Sequence, residues 1–223
     1  MIPWVNLDTA TVPDGGELRL MRRGKEFSIM LGQNELMNSR RSGSEEALAT
    51  VTCERIKPHE RSCILIGGLG MGFTLRAALA ALGPEVRIIV AELVPSILSW
   101  AKGHLAEIFG DSLTDPRVSL REGDVRYSIE PAASAFDAII LDVDNGPVGL
   151  ARKFNDTLYT VEGLAAAYAA LRPGGVLAVW SSGPNSSFTK RLRQTGFDVD
   201  EVRVRANASR GGSRHMIWIA TRL

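Results

Sequence analysis

The pattern of apolar and polar residues changes character near Pro58. Before it, from Glu17 to Asn38, apolar residues alternate with polar ones between turn-like segments, which predicts a small antiparallel β meander. A helix is predicted next, from about Ser42 to Ile56, because Ser42 and Glu45 have the spacing of a capping box. After Pro58, short unbroken apolar runs alternate with helical stretches.

Five unbroken apolar runs predict strands that are buried on both faces, as in a parallel sheet covered by helices: SCILIGG, VRIIVAE, RVSLREGD, FDAIILDVD and GGVLAVWSS. The intervening helices are predicted over TLRAALAAL, PSILSWAKGHLAEIF, a short turn near Tyr127, VEGLAAAYAALR and SSFTKRLRQTG. The last two runs, DVDEVRVR and RHMIWIATR, have no helix between them and predict an antiparallel hairpin. The chain is therefore predicted to be an α/β protein with a doubly wound, Rossmann-like sheet. We expect a meander over 1–40 and the α/β domain over 41–223.

Composition places the chain among ordinary globular proteins. It has 223 residues, of which 45% are hydrophobic and 23% are charged, so it can bury at least one full core. The net charge of +1 offers no overall field that would attract nucleic acid or an anionic membrane. No apolar run approaches the roughly 20 residues of a spanning helix, and the first residues lack a signal-peptide pattern. We expect a soluble, cytoplasmic protein that binds no nucleic acid and no membrane.

A glycine-rich loop follows the first predicted parallel strand. Glycines allow a sharp turn and a close approach to a ligand, and the helix that follows presents unpaired amides. Ligands of open sheets lie beyond the carboxyl ends of the strands, so this position favours a binding role over tight packing alone. The candidate binding residues of the loop are Gly67, Gly68, Gly70 and Gly72.

Acidic residues end the next two strands. Glu92 closes the second strand, 22 positions after Gly70, where a carboxylate can accept both hydroxyls of a ribose. Asp124 ends the third strand and is a candidate acceptor for the amine of adenine, with Val125 packing beside the ring. A surface ion pair for Glu92 and a helix cap for Asp124 remain alternatives.

The segment from Asp142 to Pro147 follows the fourth strand and lies over the same crevice. Asp142 and Asp144 are candidates for a general base or an electrostatic partner of a cationic substrate. A turn stabilised by aspartate and asparagine side chains needs the same residue types, so this alternative stays open. The three histidines are scattered and predict no metal site.

Read together, CILIGGLGMGFTLR, VAELVPSILSWAK, DPRVSLREGDV, FDAIILDVDNGPVG and LRPGGVLAVW resemble the spermidine synthase branch of the class I methyltransferase-like fold. The resemblance implies a cofactor of the S-adenosylmethionine type or its decarboxylated form. It further implies that Glu92 contacts the ribose, Asp124 contacts adenine, and Asp142 is the base for an attacking amine. It also implies a homodimer, which a meander too small to be stable alone would favour.

The departures from that family concern the acceptor side. Leu69 and Met71 interrupt the glycine loop, Val94 stands in place of a second acid, and DVDNGP replaces the DSSDP pattern. The family's tyrosine-histidine-glutamate segment corresponds loosely to Arg41–Glu45, without tyrosine or histidine. Methyl transfer to an unknown acceptor other than putrescine is therefore the first expectation. Aminopropyl transfer, a nucleoside-binding module without turnover and, more weakly, a nicotinamide-dependent dehydrogenase are the alternatives.

Overall fold

Two sheets form the framework of the protein. A computed structural model describes residues 2–12, 15–56, 62–143, 155–206 and 213–223. The smaller sheet is antiparallel, with the strands in sequence order: β1 (Val5–Thr11), β2 (Glu17–Arg23), β3 (Glu26–Leu31) and β4 (Asn34–Asn38). The larger sheet contains β5 (Cys63–Gly67), β6 (Arg87–Glu92), β7 (Val118–Glu122), β8 (Phe136–Leu141), β9 (Leu171–Ser181), β10 (Phe197–Arg205) and β11 (Arg214–Arg222).

The larger sheet has the order β10-β11-β9-β8-β5-β6-β7. Strands β5 to β9 pair in parallel, whereas β11 pairs antiparallel with both β9 and β10. The direction of winding changes between β5 and β8, which is where doubly wound sheets open a crevice for ligands. The predicted α/β class, with its terminal hairpin and preceding meander, is confirmed.

The described part of the chain contains seven α-helices: α1 (Gly43–Arg55), α2 (Phe73–Ala81), α3 (Pro95–Lys102), α4 (Ala106–Phe109), α5 (Arg126–Ile129), α6 (Val161–Ala170) and α7 (Ser186–Gln194). The single helix predicted over PSILSWAKGHLAEIF is wrong. It ends before Gly103, whose φ of −113° and ψ of −101° lie outside the helical region.

The predicted capping box is also wrong, although α1 has nearly the expected bounds. The Ser42 side chain makes no capping hydrogen bond. Glu45 instead accepts a hydrogen bond of 2.6 Å from the Ser44 hydroxyl. The carboxylate of Glu45 lines a cavity, so its placement follows from tertiary structure and not from the helix terminus.

The core is continuous between the two sheets. Alternate residues of β5 point to opposite faces, so Ile64 and Leu65 belong to different apolar clusters. The cluster around Ile64 extends to Leu20 and Ile29 of the smaller sheet. The meander therefore packs on the chain's own α/β layer and does not need a second copy to cover it. The homodimer and the division at residue 40 remain predictions.

Strand β1 was not predicted, and it adds a hydrogen bond between the smaller sheet and the α/β layer. Asp8 on β1 accepts a hydrogen bond of 2.6 Å from the indole N–H of Trp100 on α3. This hydrogen bond, followed by one from the backbone N–H of Thr9, lowers the pKa of Asp8. Within the described ranges, no helix has the length and apolar character that crossing a membrane requires.

Candidate functional site

The glycine loop connects β5 to α2 at the point where the sheet changes winding direction. Gly68, Gly70 and Gly72 have φ values of +91°, +51° and +77°, which are accessible to glycine and strained for other residues. A Cβ atom on Gly68 would collide with the carbonyl oxygen of Asp142, and one on Gly72 would collide with the ring of Phe109. These two glycines thus allow close packing, whereas Gly70 lines two neighbouring cavities.

The first cavity, lined by Gly68, Gly70, Glu92, Asp124, Val125 and Asp142, lies beyond the carboxyl ends of the parallel strands. Glu92 is only 7% exposed at its floor. One carboxylate oxygen accepts a hydrogen bond of 2.8 Å from the Leu69 backbone N–H, and the other accepts one of 2.8 Å from Val94. These two hydrogen bonds hold the carboxylate in a fixed orientation.

Asp124 and Val125 form a second part of the same cavity. Asp124 accepts hydrogen bonds of 2.9 Å from both the backbone N–H and the Nε–H of Arg126. The hydrogen bond that Arg126 donates to Asp124 raises the pKa of the Arg126 guanidinium. The orientation of Asp124 is therefore fixed by its neighbour two residues along the chain, and the buried Val125 side chain lies beside it.

Asp142 connects the ends of β8 and β5. Its backbone N–H donates to the Gly67 carbonyl at 2.9 Å, and its Oδ2 accepts a hydrogen bond of 2.6 Å from the Thr74 hydroxyl. Burial, together with the negative charge of Glu45, raises the pKa of Asp142 to about 7, against the opposing effect of Thr74. A carboxylate with such a pKa is suited to accept a proton near neutral pH. The second predicted catalytic residue, Asp144, lies outside the described residues.

A second cavity adjoins the first and contains a residue that the sequence did not single out as a candidate. It is lined by Met37, Glu45, Gly70, Phe73, Asp142 and Trp180. Burial raises the pKa of Glu45 despite the hydrogen bond from Ser44. Glu45 matches the last position of the family's tyrosine-histidine-glutamate segment, and that correspondence was the available signal.

The smaller sheet forms a wall of the site. Leu18 on β2, Ile29 on β3 and Leu36 and Met37 on β4 all line the first cavity. They face the ends of the parallel strands and supply an apolar surface, against which a flat ring can pack. The sequence predicted the meander but not this contribution to the site.

The charges of the two cavities have one sign. Among their described lining residues, the ionisable side chains are Glu45, Glu92, Asp124 and Asp142, and none is Lys, Arg or His. In the described ranges, no group of three or more His, Cys, Asp or Glu side chains is arranged to hold a metal ion. The site is therefore built for an uncharged or cationic ligand.

Comparison with known proteins gives the site its context. No protein-family model matches the chain. A polyamine aminopropyltransferase of Korarchaeum cryptofilum is 36% identical over 120 residues, which are 54% of this chain and 35% of that protein. Polyamine aminopropyltransferase 2 of Pseudomonas aeruginosa is 33% identical over 154 residues, which are 64% of this chain and 42% of that protein.

The solved structures agree with the sequence matches. Spermidine synthase from Thermotoga maritima superposes with a TM-score of 0.77 at 18% identity, over 98% of this chain and 72% of that one. The chain is similar in sequence to polyamine aminopropyltransferases and has the fold shared by spermidine synthases and class I methyltransferases. A precorrin-6y C5,15-methyltransferase from Geobacter metallireducens, with a TM-score of 0.53 at 17% identity over 77% of this chain and 86% of that one, shares the fold more distantly. The aligned segments cover well under half of the two curated relatives' own lengths.

Proposed function

We propose that this protein transfers an aminopropyl group from decarboxylated S-adenosylmethionine to a small amine. The observation that carries the proposal is the set of four carboxylates in the two cavities, with no cationic side chain among their described lining residues. Decarboxylated S-adenosylmethionine carries a sulfonium and an ammonium, so its charge is complementary to such a site. The carboxylate of S-adenosylmethionine itself would face like charges, which disfavour binding.

The first cavity is proposed to hold the nucleoside. The two hydrogen bonds from Leu69 and Val94 orient the Glu92 carboxylate, which is a charged acceptor for the ribose hydroxyls. Asp124 accepts the adenine amine, and Val125 packs against the ring. These three assignments are the ones that the sequence predicted.

The second cavity is proposed to hold the acceptor amine. Asp142 removes a proton from the amine, because its raised pKa makes it a more effective base near neutral pH than an ordinary carboxylate. The nitrogen then forms a bond to the aminopropyl carbon that is attached to sulfur. The carbon–sulfur bond breaks, its electron pair passes to sulfur, and the sulfonium becomes a neutral thioether. The indole of Trp180 offers a face on which an alkylammonium can rest.

The relatives support this chemistry over methyl transfer, which was the first expectation from the sequence. The curated relatives are named polyamine aminopropyltransferases. A spermidine synthase with a TM-score of 0.77 at 18% identity was solved in complex with the transition-state analogue AdoDATO. Aminopropyl transfer, the stated alternative, is thus favoured for this chain.

Calorimetry with three ligands tests the proposal. Decarboxylated S-adenosylmethionine is expected to bind at least about ten-fold more tightly than S-adenosylmethionine, equivalent to about 1.4 kcal/mol. Methylthioadenosine, the uncharged thioether product, serves as the reference for the nucleoside site. Tighter binding of S-adenosylmethionine, together with methylation of an amine and no aminopropyl transfer, would overturn the proposal.

A further inference from the structure

The carboxylate of Glu45 is held by a line of side chains that reaches from the second cavity to the protein surface. The Ser44 hydroxyl donates to Glu45 Oε2 at 2.6 Å, and Nδ1 of His215 lies 3.0 Å from the same hydroxyl oxygen. Beyond the ring, Nε2 of His215 lies 3.0 Å from the hydroxyl of the exposed Ser213. Glu45 lines the second cavity, whereas Ser44 and His215 are not among the described residues that line either cavity.

We infer that Ser44 and His215 position the Glu45 carboxylate to bind the ammonium group of the acceptor. This inference rests on the proposed aminopropyl transfer, which puts the acceptor in the second cavity, and it adds two residues that set the affinity for that acceptor. Both are positioning residues, because they act through Glu45, and neither has to gain or lose a proton during the reaction.

The start of α1 would otherwise direct Glu45 elsewhere. In a capping box, the carboxylate would reach back to the backbone N–H of Ser42. Side chains at adjacent positions of a helix do not face each other, so the contact between Ser44 and Glu45 is not a general property of a helix start. Ser42 makes no capping hydrogen bond here, and Glu45 is turned toward Ser44. Ser44 is only 1% exposed, so water does not compete for this hydrogen bond.

The direction of the hydrogen bonds fixes the tautomer of His215. Because the Ser44 hydroxyl donates its one hydrogen to Glu45, it can only accept from His215, so the imidazole carries a proton on Nδ1. A doubly protonated ring would donate from Nδ1 in the same way. The donors thus point toward Glu45 and favour its charged form. Burial raises the pKa of Glu45, and the hydrogen bond from Ser44 is the largest opposing effect.

His215 also contacts the aromatic wall of the second cavity. Its ring packs edge to face on Trp180, with the centroids 4.8 Å apart, and Trp180 lines that cavity. One side chain therefore supports both the acid and the indole that face the proposed acceptor. Burial, followed by the positive charge of Arg41, lowers the pKa of His215. The ring is consequently neutral near pH 7 and adds no cation that would compete with the ammonium for Glu45.

Nuclear magnetic resonance of the histidine rings tests the line of hydrogen bonds without turnover. The protein has three histidines, so single variants assign their signals. In the wild type, His215 is expected to be the Nδ1–H tautomer at neutral pH, and Ser44→Ala is expected to shift it toward the Nε2–H form. An Nε2–H tautomer in the wild type would overturn the inference, whether or not the protein transfers aminopropyl groups.

Calorimetry on the protein loaded with methylthioadenosine measures the Kd of butylamine, again without turnover. His215→Gln is expected to raise this Kd on the order of ten-fold, because its amide nitrogen takes the place of Nε2 and leaves Ser44 without its donor. His215→Asn is expected to keep the Kd within about three-fold of the wild type, since its amide nitrogen is as many bonds from the backbone as Nδ1. His104 is exposed and provides the matched control His104→Gln. The Kd of methylthioadenosine itself should be unchanged in every variant.

A double variant tests whether His215 acts through Glu45. In a Glu45→Gln protein, His215→Gln should add little to the Kd of butylamine, because the carboxylate that it positions is already absent. A further rise as large as in the wild type, or equal Kd values for His215→Gln and His215→Asn, would overturn the positioning role. With decarboxylated S-adenosylmethionine, kcat at saturating amine should change little in His215→Gln. A wild type that binds butylamine but transfers no aminopropyl group would sink the proposed function alone.

Discussion

The hydroxyl of Thr74 donates a hydrogen bond of 2.6 Å to the carboxylate of Asp142, and thereby joins the start of α2 to the end of β8. This bond partly offsets the burial and the Glu45 charge that raise the pKa of Asp142. When both acids are ionised, the repulsion between Glu45 and Asp142 therefore lowers the stability of the folded protein.

The raised pKa predicts a specific pH dependence of stability. A carboxyl group whose pKa is about 7 when folded, and near 4 when unfolded, stabilises the folded state fully only below about pH 4. That contribution is lost as the pH rises toward 7. Urea denaturation should show that Asp142→Asn becomes more stable relative to the wild type between pH 5 and pH 8. Asp198 is exposed and provides the control variant Asp198→Asn. An equal dependence of stability on pH in the wild type and in both variants would contradict the raised pKa of Asp142.

The same substitution separates chemistry from nucleoside binding. Asp142→Asn retains the size of the side chain and an acceptor for Thr74 but removes the basic lone pair. Turnover is expected to fall on the order of a hundred-fold, while the Kd of methylthioadenosine changes little. Asp124→Asn should give the opposite pattern, with weaker binding and a smaller loss of kcat. A variant Asp142→Asn with normal turnover would exclude this residue as the base.

Glu92 is expected to govern affinity for every adenosyl ligand. Glu92→Ala should weaken binding about ten- to a hundred-fold, because a charged acceptor of two hydroxyls is lost. It also leaves the N–H groups of Leu69 and Val94 without this partner, so thermal unfolding must be measured alongside. Glu122, which pairs with Glu92 in the register of β7, provides the control Glu122→Ala. Unchanged affinity in a folded Glu92→Ala protein would remove the ribose assignment.

Most of the large sheet was predictable because β5, β6 and β8 are almost entirely buried apolar runs, and a parallel sheet with two covered faces requires such runs. The prediction that RVSLREGD is also buried on both faces is wrong, because β7 is the edge strand and none of its residues is buried. Strand β1 was missed because Asn6, Asp8 and Thr9 dominate it, and its place depends on pairing with β2. The break at Gly103 was missed because the apolar spacing continues across it. In each case tertiary contacts overrode the local pattern.

The residues of the candidate site likewise fall into those that a local pattern predicts and those that depend on tertiary contacts. Gly70, Glu92, Asp124 and Asp142 were identified because strand ends and a glycine loop have a fixed relation to the crevice of a doubly wound sheet. Glu45 was assigned to a capping box, since its contact with the site depends on how α1 packs on the sheet. No local pattern could predict that Ser44 of α1 lies within hydrogen-bonding distance of His215 on β11.

Gly70 is expected to be required for binding and only moderately for folding. A Cβ atom there would lie 3.2 Å from the flexible Met37 side chain, so the main cost is the φ of +51°. Gly70→Val should therefore reduce stability by about 1–2 kcal/mol and fill the space shared by the two cavities, which abolishes binding. Gly83→Val is the control, because nothing lies within 4 Å of a Cβ atom at that position. Normal ligand affinity in Gly70→Val would place the binding site elsewhere.

The choice of acceptor depends on how the acids of the second cavity are arranged. The sequence predicted an acceptor other than putrescine, because Asp142 and Asp144 were the only clear candidates to hold a diamine. Glu45 adds a carboxylate, but it lies close enough to Asp142 for its charge to raise that residue's pKa. We therefore expect the two acids to hold the reacting end of an amine rather than the two ends of a diamine.

This arrangement predicts little preference for a diamine over a monoamine. Putrescine and butylamine are expected to have KM values within about ten-fold of each other, since a distant second ammonium gains no charge partner worth more than about 1.4 kcal/mol. Glu45→Gln should raise both KM values by a similar factor and leave the affinity for methylthioadenosine unchanged. Glu46→Gln, an exposed neighbour on α1, is the matched control. Rapid formation of spermidine from putrescine, with butylamine more than a hundred-fold worse, would refute this prediction and would require a separate anionic site for the second ammonium.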